Sequence, residues 1–351
     1  MRWRLLSKIT QLDAPIVASS QVHSVREHLY LELEEAGMIG YGEISPQPEP
    51  LNGDAGIGEI ISEWETHLSV SFEEICRREN QLPEWFRASR IAGPRSSANF
   101  ASAMLEMALL DLKLKRSGQS LGEVWASKFE TAHQFTVSGI SSGEWLVPRG
   151  VQRLRVKLGG EPISDEAISR IENVGIPVIL DFNCAAPSID SVIDAARKVG
   201  QLVNAVEQPF AVGNFVDHAL LASEIGCRVS LDEGIRNLSD LQLASRHRAA
   251  SLVCVKPARV GGFANARAIV QKAAELGIAS YVGGYFESPL ARNVNAMFAR
   301  NMTIEPSDTS WVNASSGSEA DFQTTSTGHG LVPTEDFLNH CRVIATSTIS
   351  L

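Results

Sequence analysis

Five positions in the middle of the chain carry lysine or carboxylate side chains at nearly constant spacing. They are Lys157, Asp181, Glu207, Asp232 and Lys256, separated by 24, 26, 25 and 24 residues. Each lies in a short, largely apolar run, and the runs read RLRVKL, PVILDFN, NAVEQP, RVSLDEG and LVCVKPA. Three carboxylates brought together would repel one another, and a divalent cation is the simplest compensation. Because all-oxygen ligands suit Mg²⁺ or Mn²⁺, the pattern predicts a metal site between two lysines.

The two lysines predict proton-transfer chemistry at that site. In a closed barrel, strands two and six lie on opposite sides of the axis, so Lys157 and Lys256 would face each other across the metal. Burial and neighbouring positive charge lower a lysine pKa, and a lysine so affected can accept a proton near neutral pH. The metal would bind the carboxylate of a small-molecule substrate and stabilise the enediolate formed when its α-proton leaves.

Residues beside these positions are candidates for supporting roles. Asn183 and Glu233 lie just beyond two of the carboxylates and could orient them, while Arg155 alternates with Lys157 and would point inward with it. A sixth run, ASYVGGYFES, supplies further candidates for substrate contact, namely Gly283, Gly284, Glu287 and Ser288. A single acidic residue after a strand is usually a helix cap or a solvated charge. Three at matched spacing between two lysines favour a functional site instead.

The elements that would position these groups recur about every 25 residues, the length of one strand, one helix and two loops. Segments with apolar residues at three- and four-residue spacing separate the runs, and most end in glycine. This alternation is typical of a parallel α/β barrel, whose active site lies at the C-terminal ends of the strands. With a first strand in 134–140 and a last short strand in 301–308, we expect about eight strands.

An α+β region is expected before the barrel. HLYLELEE alternates apolar and acidic residues, and GMIGYGEISP adds a turn and a second strand, so the two predict a hairpin. Residues 57–78 have helical spacing, and 97–116 form the strongest predicted helix, which Gly118 ends. The polar segment 309–330 is expected to be a loop that packs on this region.

Composition limits the classes of partner. The chain has 351 residues and a net charge of −10, which disfavours nucleic acid and anionic membranes as partners. Five cysteines without a CxxC pair indicate a reducing compartment, and we therefore expect a cytoplasmic protein. The N-terminus lacks the apolar region of a signal peptide, and no run of about 18 apolar residues predicts a membrane span. Homo-oligomerisation is left open.

The ordered series of motifs resembles the enolase superfamily, in its muconate lactonizing enzyme subgroup. RVKLGG is similar to the Lys-x-Lys strand of that subgroup, LDFN, VEQP and LDEG to its three metal-ligand strands, and VKPARVGG to its sixth-strand lysine. The resemblance implies a modified (β/α)7β barrel over 113–324. It also implies an α+β capping domain over 1–112, completed by the tail 325–351, whose loops near 13–24 and 48–56 would set specificity.

The resemblance also implies roles for individual residues. Asp181, Glu207 and Asp232 would hold Mg²⁺, with Lys157 as the base and Lys256 as the opposing cation, a pattern general to that superfamily. The first lysine of the Lys-x-Lys pair is Arg155 here, which keeps the charge but is effectively never deprotonated. It is therefore expected to assist and not to act as a base.

The activity expected from the resemblance is a dehydration like that of the o-succinylbenzoate synthases of menaquinone biosynthesis. Racemisation of N-succinylamino acids and muconate cycloisomerisation are alternatives within the same fold. A non-catalytic metal-binding homologue is the alternative from another class.

Overall fold

The computed structural model describes residues 1–18, 21–79, 95–130, 132–139, 144–309 and 319–350. An antiparallel sheet opens the chain and is completed by its end, in the order β13-β1-β2-β3. Its strands are β1 (Arg2–Ala18), β2 (Gln21–Glu35), β3 (Met38–Ile44) and β13 (Arg342–Thr348). The predicted hairpin is confirmed, because β2 and β3 pair antiparallel around Ala36 and Gly37, at φ 50° and 78°. Two left-handed residues match the twist of a tight hairpin.

Helices cover this sheet and confirm the predicted helical segments. They are α1 (Ile57–Glu63), α2 (Ser69–Glu79) and α3 (Ser96–Arg116), and a π-helical turn, Trp64–Leu68, joins the first two. A short helix that was not predicted, α4 (Leu121–Val124), follows α3. Helix α3 packs directly on β3 at Gly40 and Gly42. A Cβ at Gly42 would lie 2.0 Å from the carbonyl oxygen of Met104. Only glycine therefore permits this close approach of helix and strand, which fixes the sheet against the helix that leads into the barrel.

Seven parallel strands follow in sequential order and form the curved sheet of the barrel. The strands are β4 (Gln134–Ser138), β5 (Arg153–Lys157), β6 (Val178–Asp181), β7 (Val203–Glu207), β8 (Arg228–Leu231), β9 (Leu252–Val255) and β10 (Ala279–Val282). The outer helices are α5 (Asp165–Val174), α6 (Ile189–Val199), α7 (Phe215–Glu224), α8 (Leu238–His247), α10 (Phe263–Glu275) and α11 (Pro289–Met302), and a short helix, α9 (Pro257–Val260), follows β9 and packs on α3. The barrel and the separate antiparallel sheet confirm the predicted fold class.

The eighth strand expected in 301–308 is a wrong prediction. Residues 301 and 302 still belong to α11, and only Ser307 makes an isolated bridge, to His133. Ser307 N donates to Ala132 O (3.0 Å), and Asp308 N donates to Val282 O (2.9 Å), so the segment spans the gap between β4 and β10 without a ladder. Pro306 has no N–H to donate. Glu305 instead forms ion pairs with Arg153 and Arg228, both at 2.7 Å.

The C-terminal part returns to the first sheet through short elements. They are β11 (Phe322–Thr324), β12 (Leu331–Pro333) and α12 (Glu335–Asn339). The prediction of a continuous loop over 309–330 is therefore wrong at β11, while 310–318 lies outside the described residues. Its packing against the first unit is seen at His329, whose N–H donates to Asp111 Oδ1 of α3 (2.8 Å). Within the described ranges, no helix is both long and apolar enough to cross a membrane.

Candidate active site

The strand register brings three of the predicted residues side by side. Lys157, Asp181 and Glu207 are the last residues of β5, β6 and β7, and they are directly paired across these strands. Asp232 and Lys256 directly follow β8 and β9. Because the strands are parallel, all five side chains lie at one end of the barrel.

The three carboxylates converge on the guanidinium group of Arg155. Its Nη2 lies 2.8 Å from Asp181 Oδ2 and 3.2 Å from Asp232 Oδ2, and it also donates to Glu207 Oε1. All three carboxylates are fully buried, and Arg155 is 3% exposed. Buried charges need partners of opposite sign. The inward-pointing Arg155 supplies one positive charge that all three carboxylates share.

The two lysines lie on either side of this cluster, each against one carboxylate. Lys157 Nζ donates to Asp181 Oδ2 (3.0 Å) and Asn183 Oδ1 (2.9 Å). Lys256 Nζ donates to Asp232 Oδ2 (2.9 Å) and lies 4.7 Å from the ring centre of Tyr285. Both ammonium groups border the same cavity as Arg155, so both are placed to contact a molecule bound there.

The donor set fits a hard divalent cation. Three buried carboxylate oxygens approach one point that already accommodates a positive charge, the Nη2 of Arg155, and oxygen ligands are those that Mg²⁺ prefers. Glu207 and Asp232 also lie within 4.8 Å of the Cys254 sulfur. Burial raises the pKa of that thiol well above its usual value, and a protonated thiol is a poor ligand. Asp181 is therefore the better third donor.

Burial and neighbouring charges shift the pKa values of the three carboxylates in different directions. Burial raises the pKa of Glu207 to about 7, although Arg155 opposes this shift. Burial acts in the same direction on Asp181, but Arg155 and Lys157 outweigh it and hold the pKa below its ordinary value. Arg259, Lys256 and Arg155 likewise outweigh burial at Asp232 and hold its pKa well below the usual range.

One electrostatic expectation is wrong. The sequence predicted that burial and a facing cation lower the pKa of a site lysine. Burial does lower the pKa of Lys256, but the neighbouring Asp232 outweighs it and raises the pKa above its ordinary value. The reason is local, because the ammonium contacts a carboxylate 2.9 Å away. Lys256 is thus a cation in this arrangement.

The neighbouring polar residues form a second set of contacts. Asn183 Nδ2 donates to Glu233 Oε1 (3.1 Å), and both residues border the cavity. Among the described residues, Glu233 Oε2 is buried without a hydrogen-bond partner, so this oxygen can accept a hydrogen bond from a bound molecule. Tyr281 Oη donates to Glu207 Oε2, the oxygen that does not accept from Arg155.

Sequence reasoning missed Arg259, Asp54 and Tyr285. Arg259 is 2% exposed and donates to both Asp232 and Asp54, and Tyr285 also donates to Asp54 (2.7 Å). A signal existed for the arginine, since VKPARVGG places it three residues after Lys256 on the short helix α9. For Asp54, the resemblance implied only that its loop, 48–56, sets specificity, and it did not single out the residue, whose site contacts come from residues more than 200 positions away.

The candidates after β10 lie in different places. Gly284 and Glu287 border the cavity, whereas the backbone of Gly283 packs over Cys254, whose Sγ lies 2.5 Å from a Cβ built there. Ser288 is the N-cap of α11, and its Oγ donates to Glu43 Oε2 (2.6 Å), so this hydroxyl points to the first sheet and not to the cavity. Of the two expected specificity loops, 48–56 contributes Leu51, Asn52 and Asp54 to the cavity wall. The side chains of the first, near 13–24, lie mostly outside the described residues.

The raised pKa of Glu287 predicts that the free energy of unfolding depends on pH. Burial raises its pKa from 4.5 to about 7 in the folded protein. The folded state therefore binds this proton more tightly than the unfolded state, so stability falls as pH rises from about 4.5 to 7. We expect Glu287→Gln to gain up to about 3 kcal/mol relative to wild type over that window. Urea unfolding at pH 5, 6 and 7 measures this gain, and a constant difference across the three values would contradict it.

The fold and this arrangement define the class of protein. Residues 142–334 match the family described as Enolase C-terminal domain-like. The chain therefore belongs to that family, and the predicted superfamily resemblance is confirmed.

Two names recur among the curated relatives. An o-succinylbenzoate synthase from Listeria innocua is 27% identical over 88% of this chain and 83% of its own length. An N-succinylamino acid racemase from Amycolatopsis is 28% identical over 85% and 83%. An o-succinylbenzoate synthase from Enterococcus faecalis is 33% identical, and that alignment covers 59% of each chain. The chain thus spans less than two thirds of the Enterococcus protein.

Solved structures share the fold over nearly the full chain. An enolase superfamily member from Listeria innocua has a TM-score of 0.79 and 22% identity, covering 99% of this chain and 97% of its own. A mandelate racemase/muconate lactonizing enzyme candidate from Roseovarius nubinhibens, complexed with magnesium, has a TM-score of 0.77. It is 16% identical and covers 99% of each chain.

Proposed function

We propose that the protein is a magnesium-dependent o-succinylbenzoate synthase-like dehydratase. The observation that carries the proposal is the convergence of three fully buried carboxylates between two lysines that border one cavity. Asp181, Glu207 and Asp232 would hold the ion, with Mn²⁺ as a substitute. The bound ion would supply electrostatic stabilisation of a substrate carboxylate as the neighbouring C–H bond breaks.

In the proposed reaction, Lys157 removes the α-proton of a cyclohexadiene carboxylate. It then returns this proton to the leaving hydroxide, so water departs and the ring becomes aromatic. The Lys256 ammonium, on the other side of the carboxylates, stabilises the enediolate through its charge. Asn183 accepts a hydrogen bond from Lys157 (2.9 Å) and fixes the position of the base.

Arg155 supports a reaction with one working base. Its guanidinium contacts all three carboxylates and stays protonated, so it neutralises part of their charge without exchanging a proton. For the ion to bind, this nitrogen would have to leave the point where the three oxygens meet. The cavity wall carries two more cations, Arg26 and Arg292. They favour an anionic substrate with a second acidic group away from the reacting carbon.

Racemisation of N-succinylamino acids is the second candidate. Lys256 borders the cavity as Lys157 does, and a two-base racemase needs a lysine on each face of the α-carbon. Relatives of both names match this chain at similar identity.

Two parallel assays test the proposal. The protein with Mg²⁺ is given the cyclohexadiene precursor of o-succinylbenzoate, and product formation is followed by absorbance. A panel of N-succinylamino acids is followed by polarimetry. We expect dehydration with a kcat/KM at least about tenfold above any racemisation, and racemisation without dehydration would contradict the proposal. Absence of both activities in protein that binds Mg²⁺ would favour the non-catalytic homologue.

A further inference from the structure

A tight turn of the capping unit forms part of the cavity wall beside the site. Leu51 and Asp54 exchange backbone hydrogen bonds of 3.1 and 2.9 Å around Asn52 and Gly53, which have φ of 51° and 81°. These values are those of a type I′ turn, for which Asn-Gly is a preferred sequence. The turn directs Asp54 into the barrel, where its side chain is buried.

Asp54 holds a single arginine of the barrel through several hydrogen bonds. Arg259 Nε donates to Asp54 Oδ1 (2.9 Å), and Arg259 Nη2 donates to Asp54 Oδ2 (2.7 Å). Tyr285 Oη donates to the same Oδ2 (2.7 Å). Such two-point contact between guanidinium and carboxylate fixes orientation as well as distance.

The same guanidinium group also contacts the metal-ligand candidate Asp232. Arg259 Nη1 donates to Asp232 Oδ1, while the other oxygen, Oδ2, faces Arg155 and Lys256. The planar guanidinium is rigid, so its three nitrogens move together. A shift of the turn at Asp54 must therefore move Arg259 Nη1, the donor that orients Asp232. Conversely, a displacement of Asp232 must move Arg259 and with it the turn.

We propose that Asp54 is a positioning residue that couples the turn Leu51–Asp54 to metal binding through Arg259 and Asp232. The inference rests on the proposed metal site and adds to it a chain of contacts through which ion binding changes the stability of a turn in the capping unit. Partners that orient a metal ligand typically affect metal affinity 10- to 100-fold. Coupling between two sites is reciprocal, so the ion must also stabilise the turn.

The chain offers a matched control for this coupling. Asn52 Nδ2 donates to Asn183 O (3.0 Å), and Arg236 Nη2 donates to Asn52 O (2.7 Å). Within the described part of the chain, Arg236 thus holds the same turn without a hydrogen bond or ion pair to the three carboxylates. Arg236→Met should loosen the turn, whereas Asp54→Asn should remove the connection to Asp232.

The experiment is hydrogen–deuterium exchange of the full chain with and without Mg²⁺, together with calorimetric titration of Mg²⁺. In wild type, Mg²⁺ should slow exchange of peptides covering Leu51–Asp54. In Asp54→Asn, this response should disappear and the Mg²⁺ dissociation constant should rise about tenfold or more. Arg236→Met should exchange faster at the turn, yet keep the Mg²⁺ response and a wild-type affinity.

Wild-type affinity and an intact response in Asp54→Asn would overturn the inference, as would an Arg236→Met variant that behaves like Asp54→Asn. If Asp54→Asn does not fold, Arg259→Lys is the second test, since an ammonium cannot hold both carboxylates in the same fork. Failure of wild type to bind Mg²⁺ would refute the proposed metal site itself. The two failures are therefore distinguishable.

Discussion

Replacing Lys157 by alanine is expected to lower kcat for dehydration by about 10³- to 10⁴-fold, the range of a lost general acid–base residue. The position of Lys157 and its part in the proposed reaction give two reasons. Lys157 borders the cavity beside Asp181, and Asn183 fixes its Nζ at 2.9 Å. The same amine is also required twice, to remove the proton and to return it. Steady-state kinetics with Mg²⁺ at saturation, which separates lost chemistry from lost metal, is the measurement.

Two variants control for effects of charge. Lys157→Arg keeps a cation against Asp181 but cannot lose a proton at ordinary pH, so it should be as inactive as Lys157→Ala. Lys198→Ala removes an exposed lysine paired with Asp194 on the outer face of the barrel and should retain full activity. An active Lys157→Arg enzyme would assign Lys157 an electrostatic role only.

Removing one carboxylate of the cluster should have the second large effect. We expect Asp232→Asn to weaken Mg²⁺ binding more than about 100-fold, because loss of an outer partner alone costs up to that amount. The variant also leaves three buried cations, Arg155, Lys256 and Arg259, short of one negative charge. An unpaired buried charge typically costs about 3–5 kcal/mol. Calorimetric titration and urea unfolding in EDTA measure the two effects separately.

A control for stability lies at the other end of the barrel. Glu305 forms ion pairs with Arg153 and Arg228 at 2.7 Å, so Glu305→Gln should destabilise the fold while leaving Mg²⁺ affinity unchanged. If Asp232→Asn lost stability but bound Mg²⁺ as wild type does, the cluster would be an ion-pair network and not a metal site.

The sequence predicted those features that depend on local periodicity. The alternation of strand-like runs with helical segments, recurring about every 25 residues, located β4 to β10. It also placed Lys157, Asp181 and Glu207 on adjacent strands. Both signals can be read from the sequence alone, because parallel strands joined by helices follow the same order in the chain as in the barrel. The same logic failed at 301–308, where Pro306 and the ion pairs of Glu305 replace a strand ladder.

Features that depend on distant contacts could not be predicted. Asp54 contacts Arg259 across 205 positions. The resemblance pointed to its loop, 48–56, but the composition of that loop does not show that Asp54 is buried or which residue it contacts. Ser288 looked like a site residue because it follows β10, yet Glu43 of the first sheet accepts its hydrogen bond. The pKa of Lys256 depends on which charged group lies nearest, and sequence spacing does not give that distance.

The central claim is that the protein removes the α-proton of a bound carboxylate substrate, and NMR in D₂O tests it most directly. The protein with Mg²⁺ is incubated with the cyclohexadiene carboxylate and a panel of N-succinylamino acids, and loss of each α-proton signal is followed. We predict that at least one substrate loses this signal, that EDTA stops the loss, and that Lys157→Ala abolishes it. Undiminished loss with Lys157→Ala, or no loss for any substrate with Mg²⁺-loaded wild type, would contradict the account.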